Sequence, residues 1–430
     1  MNLRCTNPAL LIYLAWVYVI PAFLNVWFAY ESDVYVISDG GYLSWLYGGL
    51  LFAIAILFAF RPYSRSERRA AAPIAFWRFP RRTVAGVLII AVLVGINGAS
   101  SGLSQWRYSA DGLSTSLDLM TLLFVLVPVL LTLILFSVLF FNHDLALGST
   151  RRIYFTLAVC LALTASGIGP MITALLGLVA AMAPLTFRRL LFKAPRLKEV
   201  SRTSKMWFKL IMLSPLFGGL GLLAYFVGEA IKTGSSVGDV ASSVGAGEIN
   251  LFLHYLLGRI SVHWYSLGAA LHQVLELGIV EPTRNLLAPV ANAGFRISAL
   301  LGGWLDIARP LDGSMSRINY AIVTINPIND REGTSPGLLA SFVLAFPVWF
   351  GPFALSVYLW FYDKVQSGLR RRFAGTPTLF GEALLLYFTS MFFSSPVDFL
   401  LLFDPTLLYI FALCYLGLSS KTKGGLHAAI

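Results

Sequence analysis

Residues 249–278 read INLFLHYLLGRISVHWYSLGAALHQVLELG, and their apolar positions recur at the spacing of an α-helix. The stretch lies within 229–335, the one long part of a mostly apolar chain whose sequence is not typical of membrane-spanning helices. We therefore predict a helix at or in the outer interface of a membrane, in a segment that neighbouring spans hold in place. If the chain has an active site, we expect it in this segment.

The composition of the whole chain predicts a polytopic membrane protein. Of its 430 residues, 57% are apolar and 12% are charged, which is too apolar for a soluble globule. We predict one all-α membrane domain, 1–430, with about ten transmembrane helices and one large periplasmic segment, 229–335, before the eighth span. Cys5, Cys160 and Cys414 lack metal-like spacing, so we expect neither a disulfide nor a metal site.

A bilayer core takes about 20 apolar residues of helix, and ten segments approach that length. They lie near 9–29, 42–60, 83–100, 117–141, 153–165, 170–187, 210–228, 336–361, 378–394 and 399–418. The fifth and sixth are short and are predicted to form a tight hairpin, with one tilted span and a re-entrant end as the alternative. Pro347 is expected to kink the eighth span, and Asp398 to cap a helix or reach the interface.

The basic residues lie mainly on one side of these spans. With the N-terminus inside, the inner loops hold 24 of the 32 lysines and arginines, whereas the short outer loops hold only Arg107. This asymmetry predicts that both termini are cytoplasmic and that 229–335 lies outside. Orientation and anionic-lipid contact then explain the net charge of +11, and nucleic acid is not an expected partner.

Within the outer segment, local composition predicts further elements. Residues 234–247 are rich in Ser, Gly and Val, which suggests a mobile loop, and 285–308 resembles an amphipathic helix. Turns are expected at Glu281–Pro282 and at 310–313. The segment carries seven basic and nine acidic residues, so its arginines are not part of a general basic excess.

Tyr255, Arg259 and His263 are four residues apart and would share one face of the predicted helix. An arginine there suits a phosphate or a sugar ring, and a histidine that titrates near neutrality exchanges protons. The alternative is an interfacial helix whose polar face is only solvated.

The run Asn326–Gly337, NPINDREGTSPG, ends in a serine and a proline that predict a helix start at Pro336. Unpaired amides there would attract an anion, and Arg331 would strengthen the attraction. The alternative is plain capping, with Arg331 and Glu332 neutralising each other.

Two stretches resemble the Wzy-type oligosaccharide repeat-unit polymerases of bacterial surface polysaccharides. Gly258–Ala270, GRISVHWYSLGAA, is similar to the arginine-bearing helix at the start of that family's large periplasmic loop. Ile325–Val365, INPINDREGTSPGLLASFVLAFPVWFGPFALSVYLWFYDKV, is similar to the end of that loop. The order of spans, basic inner loop and long outer segment also resembles the family.

The resemblance implies a GT-C-like membrane glycosyltransferase of the bacterial inner membrane. Such an enzyme moves a growing glycan from undecaprenyl diphosphate onto the next lipid-linked repeat unit, with no cofactor, and a chain-length regulator protein is a further candidate partner. Arg259, Arg331 and His263 are the expected catalytic residues. Candidate bases also include His254, Asp330 and Glu332, and the candidate substrate-binding residues are Tyr255, Arg284, Arg296, Arg309, Arg317, Glu332 and Ser335.

Two other functions remain open at the level of sequence. An O-antigen ligase performs the same chemistry on a different acceptor. A polytopic exporter or flippase of lipid-linked sugars is a different class, expected to show repeats or polar residues along a central path. No ionisable residue lies near the middle of a predicted span, which disfavours a proton-coupled transporter.

Overall fold

The structure is a computed structural model, and it describes part of the chain. The described residues are 3–5, 7–28, 41–62, 86, 89–90, 92–93, 131, 156, 158–159, 178, 226, 230, 236–245, 249–278, 280–300, 313–325, 334–372, 389–390 and 392–400.

The chain divides into two compact units. One comprises Met1–Arg68, Val244–Gln366 and Leu385–Phe403, and the other comprises Arg69–Ser243, Ser367–Leu384 and Asp404–Ile430. Most described residues belong to the first unit. The single membrane domain of 1–430 and its outer segment, 229–335, stay a prediction.

The described part is mostly helical. Its α-helices are α1 (Pro8–Leu14), α2 (Ile20–Phe28), α3 (Tyr42–Ala59), α4 (Val237–Gly245), α5 (Ile249–Leu271), α6 (Pro282–Leu300), α7 (Met315–Thr324), α8 (Gly337–Ala345) and α9 (Gly351–Arg372). π-Helical turns join α1 to α2 (Ala15–Val19) and extend α5 (His272–Glu276), and a 3-10 helix covers Val397–Leu400. Two three-residue strands, Leu3–Cys5 and Phe60–Pro62, pair antiparallel.

Among the described residues, α3 is the one helix long and apolar enough to cross a membrane. Its 18 residues span about 27 Å, close to the thickness of a bilayer core. The predicted span 9–29 also forms a helical run, from α1 to α2, with a shorter apolar stretch at Ala9–Asn25. Of the predicted spans at 83–100, 117–141, 153–165, 170–187 and 210–228 the structure describes only isolated residues or pairs, and most of 378–394 and 399–418 lies outside the described residues.

The prediction of a helix over 249–278 is confirmed. α5 and its π-helical turn run to Glu276, and Gly278 follows with a φ of 62°, the left-handed conformation that commonly ends helices at glycine. The predicted helix at 285–308 begins three residues earlier, at Pro282, because proline suits the first helical position.

Two predictions of local structure were wrong. The expected loop at 234–247 contains α4, whose start is capped reciprocally: Asp239 N–H donates to Ser236 Oγ at 3.0 Å and Ser236 N–H to Asp239 Oδ2 at 3.1 Å.

The predicted eighth span, 336–361, is not one kinked helix but two helices, α8 and α9. Phe346 is extended, as the residue before a proline prefers, so α8 ends at Ala345.

α5 lies at the centre of the first unit. It packs against α8, α7, α3 and the π-helical turn Ala15–Val19, and its contact with α8 is the most extensive. Tyr265 and Ala269 of α5 form a buried apolar cluster with Val323 of α7. Trp264 stacks on Trp45 of α3 with ring centroids 4.9 Å apart. Every residue of α8 is buried, so α5 and α8, which belong to the two stretches that carry the resemblance, meet in the interior of this unit.

Candidate functional site

The two stretches that carry the resemblance meet where His263 of α5 faces Gly337, the first residue of α8. Gly337 has a φ of 75°, and a Cβ built on it would lie 2.6 Å from Cγ of His263. Only glycine accepts both this backbone conformation and this close approach. The imidazole therefore lies directly against the start of α8.

Tyr13 of α1 completes the surroundings of His263. Its Oη lies 3.3 Å from Nδ1 of His263 and donates to the carbonyl oxygen of Phe393 at 3.3 Å. Burial lowers the pKa of His263 to about 4, because the charged imidazolium loses hydration. The ring is therefore neutral at neutral pH, and the expectation that it titrates there was wrong.

The start of α8 differs from the anion site expected there. Pro336 is the N-cap and the helix begins at Gly337, one residue later than predicted. The hydroxyl of Ser335 does not cap the helix but donates to the carbonyl oxygen of Ser394, and the Leu339 amide donates to Oη of Tyr18 at 3.0 Å. The predicted pair of a serine cap and free amides is therefore wrong at these positions.

A buried carboxylate, Asp398, holds the start of α7. Its Oδ1 accepts from the Met315 amide at 2.5 Å, and its Oδ2 accepts from the Ser316 amide at 3.1 Å. Oδ2 also accepts hydroxyl hydrogen bonds from Ser314, Ser316 and Ser395. Of the two roles expected for this aspartate, a helix cap or an interfacial position, the structure shows a cap, at the start of α7.

Asn319 of α7 ties the chain that enters α8 to α5. Its Nδ2 donates to Oγ of Ser266 and to the carbonyl oxygen of Thr334, both at 2.9 Å. The Thr334 amide donates in turn to the carbonyl oxygen of Ser316 at 2.9 Å. The Oδ1 atom of Asn319 is buried without a partner among the described residues. A series of hydrogen bonds thus runs from Asp398 along α7 to Ser266 of α5, about one turn after His263.

Four of the predicted site residues lie on α5 and α7, two helices that pack against each other. Arg259 lies on α5 one turn before His263 and Tyr255 two turns before it, so that the three positions share a face. Arg317 lies half-buried in the first turn of α7, next to Ser316.

Other predicted site residues lie elsewhere on α5 and α6 or outside the described residues. Arg284 is exposed in the first turn of α6, and Arg296 lies later in the same helix. His254 lies in the first turns of α5. Arg309, Asp330, Arg331 and Glu332 lie outside the described residues.

Tyr13 and Asn319 are not among the site residues predicted from the sequence. Tyr13 lies in an apolar span 250 residues before its partner, and no local pattern distinguishes it from the tyrosines that anchor spans at an interface. The sequence does hold a signal for Asn319. It lies four residues after Met315, so both residues share one face of α7, and an asparagine on the buried face of a helix indicates a buried hydrogen bond.

Within the described part of the chain, no three His, Cys, Asp or Glu side chains group closely enough to hold a metal ion. Comparisons with family models, with curated proteins and with solved structures found no match to this chain.

Proposed function

We propose that this chain is a membrane glycosyltransferase that polymerises lipid-linked oligosaccharide repeat units at the outer face of the bacterial inner membrane. The proposal rests on the resemblance of its two stretches to Wzy-type polymerases. The observation that carries it furthest is the contact between them: Gly258–Ala270 and Ile325–Val365 pack together through α5 and α8, with His263 against Gly337. A catalytic site divided between two distant stretches requires such a contact.

The exposed apolar surface supports a membrane environment. On α3, Tyr42 and Leu43 are each 78% exposed, and the large side chains of Leu46, Leu50 and Leu57 are exposed as well. On α9, Phe353, Val357 and Trp360 recur at helical spacing and are also exposed. Contiguous exposed apolar faces of this kind are rare on soluble monomers and suit contact with lipid.

The end of α9 supports the predicted orientation. Lys364 lies over the ring of Trp360, with Nζ 5.7 Å from the ring centroid, and Arg370–Arg372 follow in the last turn. A tryptophan with a nearby lysine is typical of a helix that passes from lipid into the headgroup region. This end of α9 would then lie on the cytoplasmic side.

The proposed reaction assigns roles to residues on α5. The bond between the anomeric carbon and the diphosphate oxygen breaks, and its electron pair leaves with undecaprenyl diphosphate. The acceptor hydroxyl forms the new bond to that carbon, and its proton passes to a base. Arg259, about 6 Å along the helix axis from His263, would stabilise the departing diphosphate, and His263 would take the proton.

We expect Arg259→Ala to slow elongation roughly ten- to a hundredfold, since a charge-assisted hydrogen bond contributes about 1.5–3 kcal/mol. The measurement is in vitro elongation of an undecaprenyl-diphosphate-linked repeat unit by the purified full-length chain, at matched thermal stability. Arg370→Ala, at the opposite end of the predicted topology, should elongate at the wild-type rate.

Equal loss of activity in both arginine variants would contradict a role for the outer arginines in diphosphate contact. Elongation without added lipid A distinguishes a polymerase from a ligase. Transfer only to lipid A would assign the chain to the ligases, and transport of the lipid-linked sugar without a new bond would assign it to the flippases.

The predicted topology is tested by cysteine labelling in a cysteine-free chain. Ser242→Cys, exposed on α4 within the predicted outer segment, should react with a membrane-impermeant maleimide added to intact spheroplasts. Ser204→Cys, in a predicted inner loop, should react only after lysis. The reverse pattern would place 229–335 in the cytoplasm and overturn the proposed location of the reaction.

A further inference from the structure

Tyr13 joins two parts of the chain that are far apart in sequence. It lies in α1 and is 3% exposed, and its Oη contacts both Nδ1 of His263 on α5 and the carbonyl oxygen of Phe393. Both distances are 3.3 Å. The phenol ring is fixed by Phe393, whose ring centroid is 5.2 Å away, and by Tyr18 at 6.5 Å.

The number of available hydrogens determines which atom donates between Phe393, Tyr13 and His263. The carbonyl oxygen of Phe393 can only accept, so both contacts of Oη are hydrogen bonds only if the single hydroxyl hydrogen of Tyr13 goes to this carbonyl. The Oη atom then faces Nδ1 of His263 with a lone pair. The contact is a hydrogen bond only if Nδ1 carries the hydrogen.

A neutral imidazole carries one N–H, so a hydrogen on Nδ1 leaves Nε2 with its lone pair. Burial lowers the pKa of His263 to about 4, which keeps the ring in this neutral form at neutral pH. Among the described residues, no hydrogen-bond partner of Nε2 is found.

We infer that Tyr13 is a positioning residue, whose Oη holds His263 in the Nδ1–H tautomer and thereby presents Nε2 as the proton acceptor. The role of Nε2 in catalysis rests on the proposed function, whereas the tautomer rests only on the hydrogen bonds. Tyr13 itself touches no reacting atom and acts through His263.

In the proposed reaction, Nε2 takes the proton of the acceptor hydroxyl while that oxygen bonds to the anomeric carbon. The electron pair of the old carbon–oxygen bond leaves with the diphosphate. A weak base suffices for this transfer, because the attacking oxygen becomes strongly acidic once the new bond has formed. The opposite tautomer would present an N–H to the hydroxyl and could accept nothing.

The tautomer is measured directly by nitrogen NMR of the full-length protein with ¹⁵N-labelled histidine, because the two ring nitrogens of a neutral imidazole have well-separated shifts. The chain has five histidines, and the loss of one set of signals in His263→Gln identifies the residue. Tyr13→Phe removes only Oη from a ring that its neighbours keep in place. Tyr18→Phe is the matched control, since it removes a buried hydroxyl that bonds to Leu339 rather than to His263.

We expect the Nδ1–H form of His263 in the wild type and in Tyr18→Phe, and a change toward the Nε2–H form in Tyr13→Phe. An Nε2–H form in the wild type would overturn the inference. So would a tautomer that Tyr13→Phe leaves unchanged.

Elongation by the same variants separates this inference from the proposed function. Tyr13→Phe should lower kcat roughly ten- to a hundredfold and leave KM unchanged, because the loss concerns proton transfer rather than binding. A change of tautomer in a protein that elongates no repeat unit would support the positioning role and overturn the proposed reaction. Normal kcat together with a changed tautomer would overturn the role of Nε2 in catalysis.

Discussion

Gly337→Ala is expected to lower the free energy of unfolding by about 2–5 kcal/mol. Its φ of 75° costs an L-residue about 1–2 kcal/mol, and a new Cβ would lie 2.6 Å from Cγ and 2.9 Å from Cβ of His263. Both of these atoms lie near the backbone of α5, so the imidazole cannot turn away from them. Overpacking of this kind costs about 1–3 kcal/mol more. Thermal unfolding of the purified protein in detergent measures the loss.

Gly278→Ala separates the two contributions to this loss. Gly278 has a similar φ, 62°, but a Cβ there would meet no atom within 4 Å. This variant should lose only the backbone contribution, about 1–2 kcal/mol. If both variants lose the same free energy, the close approach of His263 to Gly337 does not exist in the protein.

Asp398→Ala is expected to lower the free energy of unfolding by about 3–5 kcal/mol. The substitution leaves the buried amides of Met315 and Ser316 at the start of α7 without their acceptor, and each orphaned donor costs about 1–3 kcal/mol. The hydroxyls of Ser314 and Ser395 lose the same partner. Because α7 packs on α5, we also expect the loss to weaken the hydrogen bonds by which Asn319 joins Thr334 to Ser266 of α5. Thermal unfolding again measures the effect.

Asp398→Asn provides the graded control. The side-chain amide keeps one acceptor oxygen but loses the negative charge that a helix N-terminus favours. The free energy of unfolding of Asp398→Asn should therefore lie between those of the wild type and Asp398→Ala. Asp239→Ala removes the exposed carboxylate that accepts hydrogen bonds from the amide and hydroxyl of Ser236 at the start of α4, and should cost much less than Asp398→Ala. An Asp398→Ala variant as stable as the Asp239→Ala variant would contradict the buried cap.

The helices α5 and α3 were predictable from the sequence, because the pattern that defines each of them lies within one segment. The apolar period of Ile249–Gly278 and the glycine at its end define α5 within a few residues. The continuous apolar run of Tyr42–Ala59 likewise defines α3. The loop predicted at 234–247 is wrong because Ser236 and Asp239 cap the start of a helix, and this local pattern outweighs the low helix propensity of the serines and glycines.

The break between α8 and α9 shows why a hydrophobic run alone does not define a span. The run at 336–361 is long enough to cross a bilayer as one helix, and Pro347 was expected only to kink it. In the fold, Phe346 turns extended and α8 remains a nine-residue helix buried on all sides. The partners of α8 are α5 and α6, which cover its apolar side chains in place of lipid.

By itself, the sequence determined the helical periodicity of α5, the length of α3 and the shared face of Tyr255, Arg259 and His263, since each of these follows from spacing along one segment. Only the tertiary structure decided what His263 contacts. The tyrosine at its Nδ1 and the glycine against its ring lie 250 residues before it and 74 residues after it. A hydrogen bond or a close contact over such separations leaves no periodic trace in either segment, because it depends on how the helices pack.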